Sequence, residues 1–270
     1  MGYSGSTFFM SSDSRYLVKS VPRSFEHSFL RDDLLLPYAE YMQQNPFSLL
    51  VRITDFIQCT QYSIGSLLGL APSHHVVMEN IKYGQEAAEA EGGKWESWDL
   101  KPMSYFYPER DVAGGALSSE ATKSKLAEEF NDKLSLTLDQ AEDMKAQLSK
   151  DTKLLSSCNA VDYSLFLVRI PKRADDGSKS PAKPSVSPAT LSSWRTGVPS
   201  ADGKYIYRAA LLDFFWAKHK VHARAMTGVI NTYNAVDPQG PMSITAEPVE
   251  YRERFLKMCV EIVDVQEGSQ

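Results

Sequence analysis

Two aspartates stand inside apolar, strand-like runs of the sequence. Asp162 lies within residues 161–165, and Asp213 lies within residues 211–215. A carboxylate in such a run must be hydrogen-bonded, paired with a cation or bound to a metal, because burying it alone is unfavourable. If the two runs pair as strands, both carboxylates can face one cleft. One would then orient or deprotonate a hydroxyl and the other would hold Mg²⁺, an arrangement that suits phosphoryl transfer. For either aspartate alone, a strand end or a turn is the simpler interpretation.

A run of small residues near the start of the chain precedes a lysine on the next strand. Gly5 and Ser6 belong to the run, and Lys19 ends the strand. Small residues let backbone N–H groups approach a polyphosphate, and a lysine on the neighbouring strand can reach the phosphates as a point charge. Taken alone, these residues fit an ordinary hairpin with a surface lysine better. No Gly-Lys-Ser/Thr triplet follows, so the run is not a Walker-type loop.

A second candidate phosphate contact is Lys101, which follows Asp99 and precedes Pro102. Its ammonium group could be a second contact to phosphate. An exposed lysine before proline in a loop is an equally good interpretation.

The elements that must position these residues can be predicted from hydrophobic periodicity and turn residues. Two strands around a Ser/Asp turn, one helix and two further strands favour a small antiparallel sheet of the α+β type. Pro37 is expected to bend or split that helix. The predicted strands are 6–10, 15–19, 49–57, 75–80, 160–170 and 205–215, and the predicted helices begin at residue 24 and span 119–156 and 249–263.

Composition divides the chain into two parts. Residues 84–97 are rich in Glu, Ala and Gly and form a predicted mobile link between residues 1–83 and residues 98–270. Residues 171–203 are rich in Pro, Ser, Lys, Asp and Gly and poor in apolar side chains, so we expect a flexible insertion there.

The charge and the cysteines exclude several classes of protein. The chain has 270 residues and a net charge of -5, which argues against a uniformly basic surface for nucleic acid. The 3 cysteines have no metal-ligand spacing and suit free thiols in a reducing compartment. We find neither a run long enough to span a bilayer nor a secretory signal. If the protein works at a membrane, we expect it to work from the surface.

Several of these pieces, in the same order and at approximately the same spacing, resemble the phosphatidylinositol phosphate kinases. Each piece is weak alone, but their order over nearly the whole chain is specific. The matching segments are residues 4–6 with Lys19, then 76–80, 99–101, 162–165 and 212–213, with 151–155 and 251–255 also similar to the family.

The resemblance implies a two-lobed kinase-like α+β fold of the SAICAR synthase-like type, with ATP and Mg²⁺ as cofactors. Residues 1–83 would be the nucleotide-binding lobe and residues 98–270 the catalytic and lipid-binding lobe. Gly5 and Ser6 would lie in the nucleotide loop, and Met78 and Glu79 would border the adenine.

The resemblance also implies roles for the charged residues. Lys19 would contact the ATP phosphates, oriented by Glu26 from the first helix. Asp162 would be the catalytic aspartate near the attacking hydroxyl, Asp213 would bind Mg²⁺, and Lys101 would lie close to the transferred phosphate.

A local basic excess follows the second aspartate. Lys218, Lys220 and Arg224 stand where the family binds phosphoinositide head groups, and Lys204 and Arg208 extend the excess. For any single lysine, a solvated helix face is the better interpretation. Residues 231–248 resemble the family's specificity loop. We therefore expect a cytoplasmic protein that acts peripherally at the cytosolic face of membranes.

Two departures from the family pattern keep other functions open. Pro102 and Met103 replace the usual Gly-Ser after the family's Asp-Leu-Lys, and little sequence precedes the nucleotide loop, where the family has sheet-completing or dimer contacts. The first alternative is therefore a weakly active or inactive member that acts as a phosphoinositide-binding scaffold. Another is a kinase for soluble inositol phosphates. A protein kinase is disfavoured because neither a His-Arg-Asp nor an Asp-Phe-Gly triplet occurs. The sequence leaves open whether the protein forms a homodimer.

Overall fold

The computed structural model describes residues 6–60, 72–102, 130–172, 193–217 and 246–266. These residues form antiparallel sheets with helices packed against them, a mixed α/β architecture that is compatible with a kinase-like fold. The elements in chain order are β1 (Phe8–Met10), β2 (Tyr16–Ser20), α1 (Ser24–Phe29), α2 (Leu35–Gln44), β3 (Ile53–Gln58), β4 (His74–Glu79), α3 (Gln85–Ala90), β5 (Glu96–Leu100), β6 (Leu134–Leu136), α4 (Leu138–Ser157), β7 (Ala160–Val161), β8 (Ser164–Pro171), β9 (Val198–Pro199), β10 (Tyr205–Leu212), β11 (Trp216–Ala217), α5 (Pro248–Glu261) and β12 (Val263–Val265).

The first sheet contains four strands in the order β1–β2–β4–β3, all antiparallel. The predicted hairpin of β1 and β2 forms around a turn in which Ser11 Oγ donates to the carboxylate of Asp13 at 2.7 Å. Strand β4 alternates buried and half-buried residues, with Val76 and Met78 in the core. This alternation of period two places one face of the sheet against the interior.

The second sheet contains four strands in the order β5–β8–β10–β9, also antiparallel. Half of the residues of strand β8 are buried and all but the last of the others are half-buried, which matches its nearly continuous apolar sequence. Strands β8 and β10 are paired along their whole length, with Ser164 opposite Leu212 at one end. The predicted pairing of residues 160–170 with 205–215 is therefore confirmed.

After β2, three helical segments follow one another without a break: α1, a π-helical turn at Leu30–Leu34, and α2. Pro37 has no N–H to donate to the carbonyl of Asp33, so an ordinary helical hydrogen bond cannot form at that point. The π turn ends at Leu34, three residues before this proline, and Pro37 lies in the first turn of α2. The predicted split at Pro37 is therefore wrong, because the helical segments continue through it, and a bend stays a prediction.

Helices α4 and α5 pack against each other and against β7, which pairs with β11. A capping box begins α4, in which the N–H of Gln140 donates to Thr137 Oγ1 at 3.3 Å and the N–H of Thr137 donates to Gln140 Oε1 at 2.9 Å. Pro248 occupies the first turn of α5, where its missing N–H is tolerated. Among the described residues, no helix is both long enough and apolar enough to cross a membrane.

The predicted insertion at 171–203 is wrong for its last residues. Trp194 and Val198 are buried, β9 pairs with β10, and the N–H of Ala209 donates to the Trp194 carbonyl at 2.8 Å. A few apolar side chains suffice because the sheet already provides a surface for them. Residues 173–192 lie outside the described residues.

The boundary between the two predicted regions also changes. The link expected at 84–97 contains helix α3 and the start of β5, which belongs to the second sheet. Gly84 precedes α3 with a φ of +92°, a conformation that glycine adopts without strain. The second sheet therefore begins at Glu96, slightly before the expected residue 98.

Candidate active site

Three charged residues lie at one end of the second sheet. Lys101 follows β5, Asp162 precedes β8, and Asp213 follows β10. The last residue of β5 is opposite Leu165, and the last residue of β10 is opposite Ser164. Because antiparallel neighbours alternate in direction, the end of β5, the start of β8 and the end of β10 coincide. The register therefore brings all three charged residues to the same edge.

Each aspartate stands in a short break between two consecutive strands. Asp162 stands between β7 and β8, and Asp213 stands between β10 and β11, while β7 and β11 pair with each other. Their φ angles are +65° and +60°, in the left-handed region. Aspartate tolerates this region better than most residues, but it persists only where the surroundings fix it. Such a conformation at two neighbouring carboxylates is a mark of functional sites.

Lys101 and Asp162 form an ion pair at 3.0 Å, from Nζ to Oδ2. Both residues are buried, with 8% and 9% of their surface exposed. A buried pair of opposite charges keeps each partner ionised, because loss of either charge would leave the other uncompensated. The structure thus places the predicted catalytic aspartate beside the lysine predicted to lie near the transferred phosphate.

Lys19 of the first sheet forms an ion pair with Asp213 of the second. The side chain of Lys19 is buried, and its ammonium lies 5.5 Å from the ring centre of Phe8 and 5.7 Å from that of Phe215. The side chain of Asp213 remains 37% exposed. A solvent-accessible carboxylate therefore meets a lysine that is held between aromatic rings.

Charge governs the ionisation of Asp213. Burial alone would raise the pKa of its carboxyl, but Lys19, through its charge and hydrogen bond, outweighs burial, and the charge of Lys101 adds to the effect. The pKa is therefore lowered below the ordinary value of 3.8. Since Lys101 also acts on Asp213, the two Lys–Asp pairs belong to one site.

Glu26 does not pair with Lys19 as the resemblance implied. Its carboxylate lies 3.0 Å from the guanidinium of Arg23, three residues earlier on the same segment. Burial raises the pKa of Glu26, and the charges of Arg23 and Lys19 only partly offset that effect. Glu26 is therefore near enough to sense Lys19, but the ion pair of Lys19 goes to Asp213.

The nucleotide loop is described only in part. Ser6 is buried, and the next residue, Thr7, donates its N–H to Ser20 Oγ at 2.7 Å, while Ser20 donates its N–H to the Thr7 carbonyl at 2.9 Å. These bonds tie the end of the loop to β2, beside Lys19. Gly5 lies outside the described residues, so its role stays a prediction.

The two predicted adenine neighbours lie at the end of β4. Met78 is buried in the first sheet between β2 and β3. The carboxylate of Glu79 forms an ion pair with Arg195 and accepts the N–H of Arg52 at 2.8 Å. Burial and the charge of Arg52 lower the pKa of Arg195 to about 10, so Arg195 remains charged at neutral pH. An adenine contact for either residue stays a prediction.

The predicted head-group residues Lys218, Lys220 and Arg224 lie outside the described residues, as does nearly all of the predicted loop at 231–248. The two described members of the basic excess have other partners. Arg208 donates to the carbonyls of Ile81 and Tyr83, and Lys204 lies 3.1 Å from Asp202. Arg208 therefore supports the fold instead of the expected basic surface.

A magnesium ion would find one accessible carboxylate here. Within the described ranges, no group of three or more His, Cys, Asp or Glu side chains could hold a metal. Mg²⁺ bound with a nucleotide usually takes one or two carboxylates, with phosphates and waters as its other ligands. Asp213 fits as such a carboxylate, because its side chain is partly exposed. Asp162 is buried and paired with Lys101 and fits less well.

Three residues whose contacts support the site, Asp151, Arg195 and Tyr251, were given no role by the sequence analysis, although residues 151–155 and 251–255 were found similar to the family. Asp151 had a signal, because it falls on the apolar stripe of α4, three residues after Leu148 and four before Leu155. A carboxylate on a buried stripe must have partners. Arg195 had no such signal in the sequence, because it follows a stretch that looks unstructured.

Tyr251 of α5 contacts the segment that carries Asp162. Its hydroxyl donates to the carbonyl of Tyr163 at 2.5 Å, and the two rings meet edge to face with centres 4.8 Å apart. Phe255 packs on Tyr163 in the same way, at 4.9 Å. All three side chains are fully buried. The aromatic cluster thus fixes the residue that follows Asp162.

Comparison with known proteins gives an independent result. The family described as Phosphatidylinositol-4-phosphate 5-Kinase matches residues 1–198. A curated protein of Dictyostelium discoideum, described as a probable phosphatidylinositol phosphate kinase, is 30% identical over 191 residues. That match covers 70% of this chain but only 24% of the relative, so this chain spans about a quarter of the relative's length.

The matched residues include Lys19, Lys101 and Asp162, whereas Asp213 lies beyond residue 198. The structure nevertheless connects Asp213 to the matched residues, because Asp213 forms an ion pair with Lys19. Both the extent of the family match and the identity to the relative show common ancestry. The chain therefore belongs to the phosphatidylinositol phosphate kinase family.

Proposed function

We propose that this chain transfers the γ-phosphate of ATP to the inositol head group of a membrane phosphatidylinositol phosphate. The observation that supports this most is the pair of Lys–Asp contacts at one edge, Lys101 with Asp162 and Lys19 with Asp213. They combine two cations for phosphate groups with two carboxylates for a hydroxyl and a metal. Phosphoryl transfer depends mainly on such positioning and charge.

Each charged residue has a role that its surroundings favour. The ammonium of Lys19 lies near two aromatic rings and would contact the phosphates of ATP. Asp162, kept ionised by Lys101, accepts a hydrogen bond from the attacking hydroxyl and can take its proton. When bound, Mg²⁺ would neutralise charge on the phosphates, with Asp213 as its carboxylate ligand. Lys101, beside Asp162, can offset negative charge on the transferred group.

The lipid side of the proposal rests on Lys218, Lys220 and Arg224, which follow β11 in the sequence. In the sequence, this basic segment begins directly after β11, within a few residues of Asp213, the proposed metal ligand. Anionic head groups attract such clusters by about 1 kcal/mol for each Lys or Arg near the surface. We propose that the segment binds the head group and that the protein acts from the surface of the membrane.

The test is transfer of labelled phosphate from ATP to liposomes that each carry one phosphatidylinositol monophosphate. Soluble inositol phosphates form a parallel arm. Asp162→Asn and Asp213→Asn should each abolish incorporation. Asp202→Asn is the matched control, because Asp202 lies in the turn at the opposite end of β10 and contacts Ser200 and Lys204.

If the native protein and the control variant incorporate phosphate into liposomes, and the other two variants do not, the result would support the proposal and identify the lipid. Incorporation that survives Asp213→Asn would remove Asp213 from the site. If the native protein binds liposomes and ATP without any turnover, a phosphoinositide-binding scaffold replaces the kinase. If only the soluble inositol phosphates are phosphorylated, a soluble substrate replaces the membrane lipid in the proposal.

A further inference from the structure

Residues 48–52, here called the junction segment, connect the two sheets. The segment continues directly into β3 of the first sheet. Before that, it hydrogen-bonds to β10 of the second sheet: Leu211 donates its N–H to the Leu49 carbonyl at 2.7 Å, and Val51 donates its N–H to the Leu211 carbonyl at 3.1 Å. Leu211 lies two residues before Asp213. The junction segment therefore connects the first sheet to the strand that carries Asp213.

Arg195 holds the junction segment from one side. Its Nε donates to the carbonyl of Ser48 at 2.9 Å, and Nη2 donates to the carbonyl of Leu50. Its Nη1 pairs with Glu79, whose carboxylate also accepts the N–H of Arg52. Since Glu79 ends β4, one buried guanidinium joins the first sheet, the junction segment and the segment before β9.

Asp151 holds the same segment from the other side. It is completely buried, and its Oδ2 accepts the N–H of Leu49 at 2.7 Å. Its Oδ1 accepts hydrogen bonds from Tyr41 of α2 at 2.7 Å and from Gln147 of α4 at 2.9 Å. The segment is thus fixed on both sides by charged groups with several hydrogen bonds each.

From these contacts we propose that Arg195 is a positioning residue that fixes the first sheet relative to the second, and so holds Lys19 against Asp213. Lysine could not replace it, because only the planar fork of guanidinium donors reaches Glu79 and two carbonyls at once. The geometric part of the proposal stands by itself. Its consequence for phosphate transfer rests on the proposed function.

The accessibility of Lys19 to a small acylating reagent reports on this geometry without any need for activity. Lys19 is buried and paired, whereas the side chain of Lys204 is 72% exposed and serves as an internal reference. Limited acetylation with acetic anhydride, followed by mass spectrometry, gives the rate at Lys19 relative to that at Lys204. In Arg195→Met and Glu79→Gln, we expect this relative rate to rise about tenfold, because local opening exposes the protected amine.

The control is Arg169→Met. Arg169 is also an arginine with little of its side chain exposed, and it has two carboxylate partners, Glu96 and Asp132, but it lies towards the far end of β8 from Asp162. This variant should lose stability without exposing Lys19, when all proteins are compared at the same interval below their unfolding midpoints. Arg195→Lys keeps the charge and guards against a variant that fails to fold, and its Lys19 should also react faster.

The outcomes separate the two proposals. Equal protection of Lys19 in the native protein, Arg195→Lys and Glu79→Gln would overturn the role of Arg195, as would equal exposure in Arg169→Met. If the native protein phosphorylates lipid, Arg195→Lys should also lower kcat and raise the KM for ATP, and Arg169→Met should leave both within about twofold. If no protein phosphorylates lipid, the proposed function fails, while acetylation still decides the role of Arg195.

Discussion

The ammonium group of Lys101 lies 3.0 Å from the carboxylate of Asp162, and little of either side chain is exposed to solvent. The register of β5 against β8 brings the two residues together at the end of the second sheet. Because little water reaches the two side chains, each charge is compensated mainly by the other. The pair thus contributes both to the proposed chemistry and to the integrity of the fold.

Removing either partner should destabilise the protein. Asp162→Asn and Lys101→Met should each reduce the free energy of unfolding by about 3 kcal/mol, because each leaves a buried charge without its counter-ion. The double variant should lose clearly less than the sum of the two, since neither charge remains. Urea unfolding of the four proteins measures the coupling. Additive losses would show that the two groups act independently.

Tyr251→Phe should reduce stability by about 1–2 kcal/mol, because it removes the hydroxyl that donates to the buried carbonyl of Tyr163 but keeps the ring. We also expect a lower kcat for phosphate transfer, since Tyr163 directly follows Asp162. Tyr205→Phe is the control, because the hydroxyl of Tyr205 has no hydrogen-bond partner among the described residues. Its effect on the free energy of unfolding should stay within about 0.5 kcal/mol. Equal losses in the two variants would contradict the role of Tyr251.

Much of the second sheet could be predicted from the sequence. Residues 160–170 and 205–215 are apolar over a length typical of strands, and their pairing in the structure brings Asp162 and Asp213 to one edge. Strand type depends on local composition, and each aspartate stands at the end of an apolar run. The left-handed φ of both aspartates had no local signal, because it results from the interruption of two paired strands.

The contacts between the two sheets could not be predicted. Arg195 and Glu79 are 116 positions apart, and Lys19 and Asp213 are 194 apart. No periodicity of the sequence connects residues at such separations, and the Ser- and Pro-rich stretch before Arg195 favours an unstructured interpretation. Asp151 is the exception, because its place on the apolar stripe of α4 predicts that it is buried.

The three cysteines should differ in reactivity. Cys59 is exposed, Cys158 is partly buried, and Cys259 is buried, and none of the three forms a disulfide. Burial raises the pKa of the Cys158 and Cys259 thiols, which reduces the fraction of reactive thiolate. A thiol-reactive chromophore at pH 8 should therefore modify Cys59 rapidly and Cys259 only after unfolding. Cys59→Ser should remove the rapid phase, and a rapid phase that survives in this variant would contradict the burial of the other two.

Two stacked histidines should make stability depend on pH. The ring centres of His27 and His74 lie 3.8 Å apart, and the angle between the ring planes is 12°. Burial lowers the pKa of both imidazoles below 6.5, and the charge of Arg31 lowers it further. The unfolded chain therefore binds protons at a higher pH than the folded one. Stability should be complete above about pH 6.5 and should fall as the pH decreases from there, because protons then favour the unfolded state.

His27→Phe tests this dependence. Phenylalanine keeps the stacked ring, and within the described part of the chain the buried Nδ1 of His27 has no hydrogen-bond partner to lose. We expect the variant to show a smaller loss of unfolding free energy between pH 7.5 and about pH 5.5 than the native protein. His75→Phe, at the half-buried neighbour of His74 in β4, is the control for loss of a histidine outside the stack. The same pH dependence in native protein and His27→Phe would show that His27 does not take up a proton preferentially on unfolding.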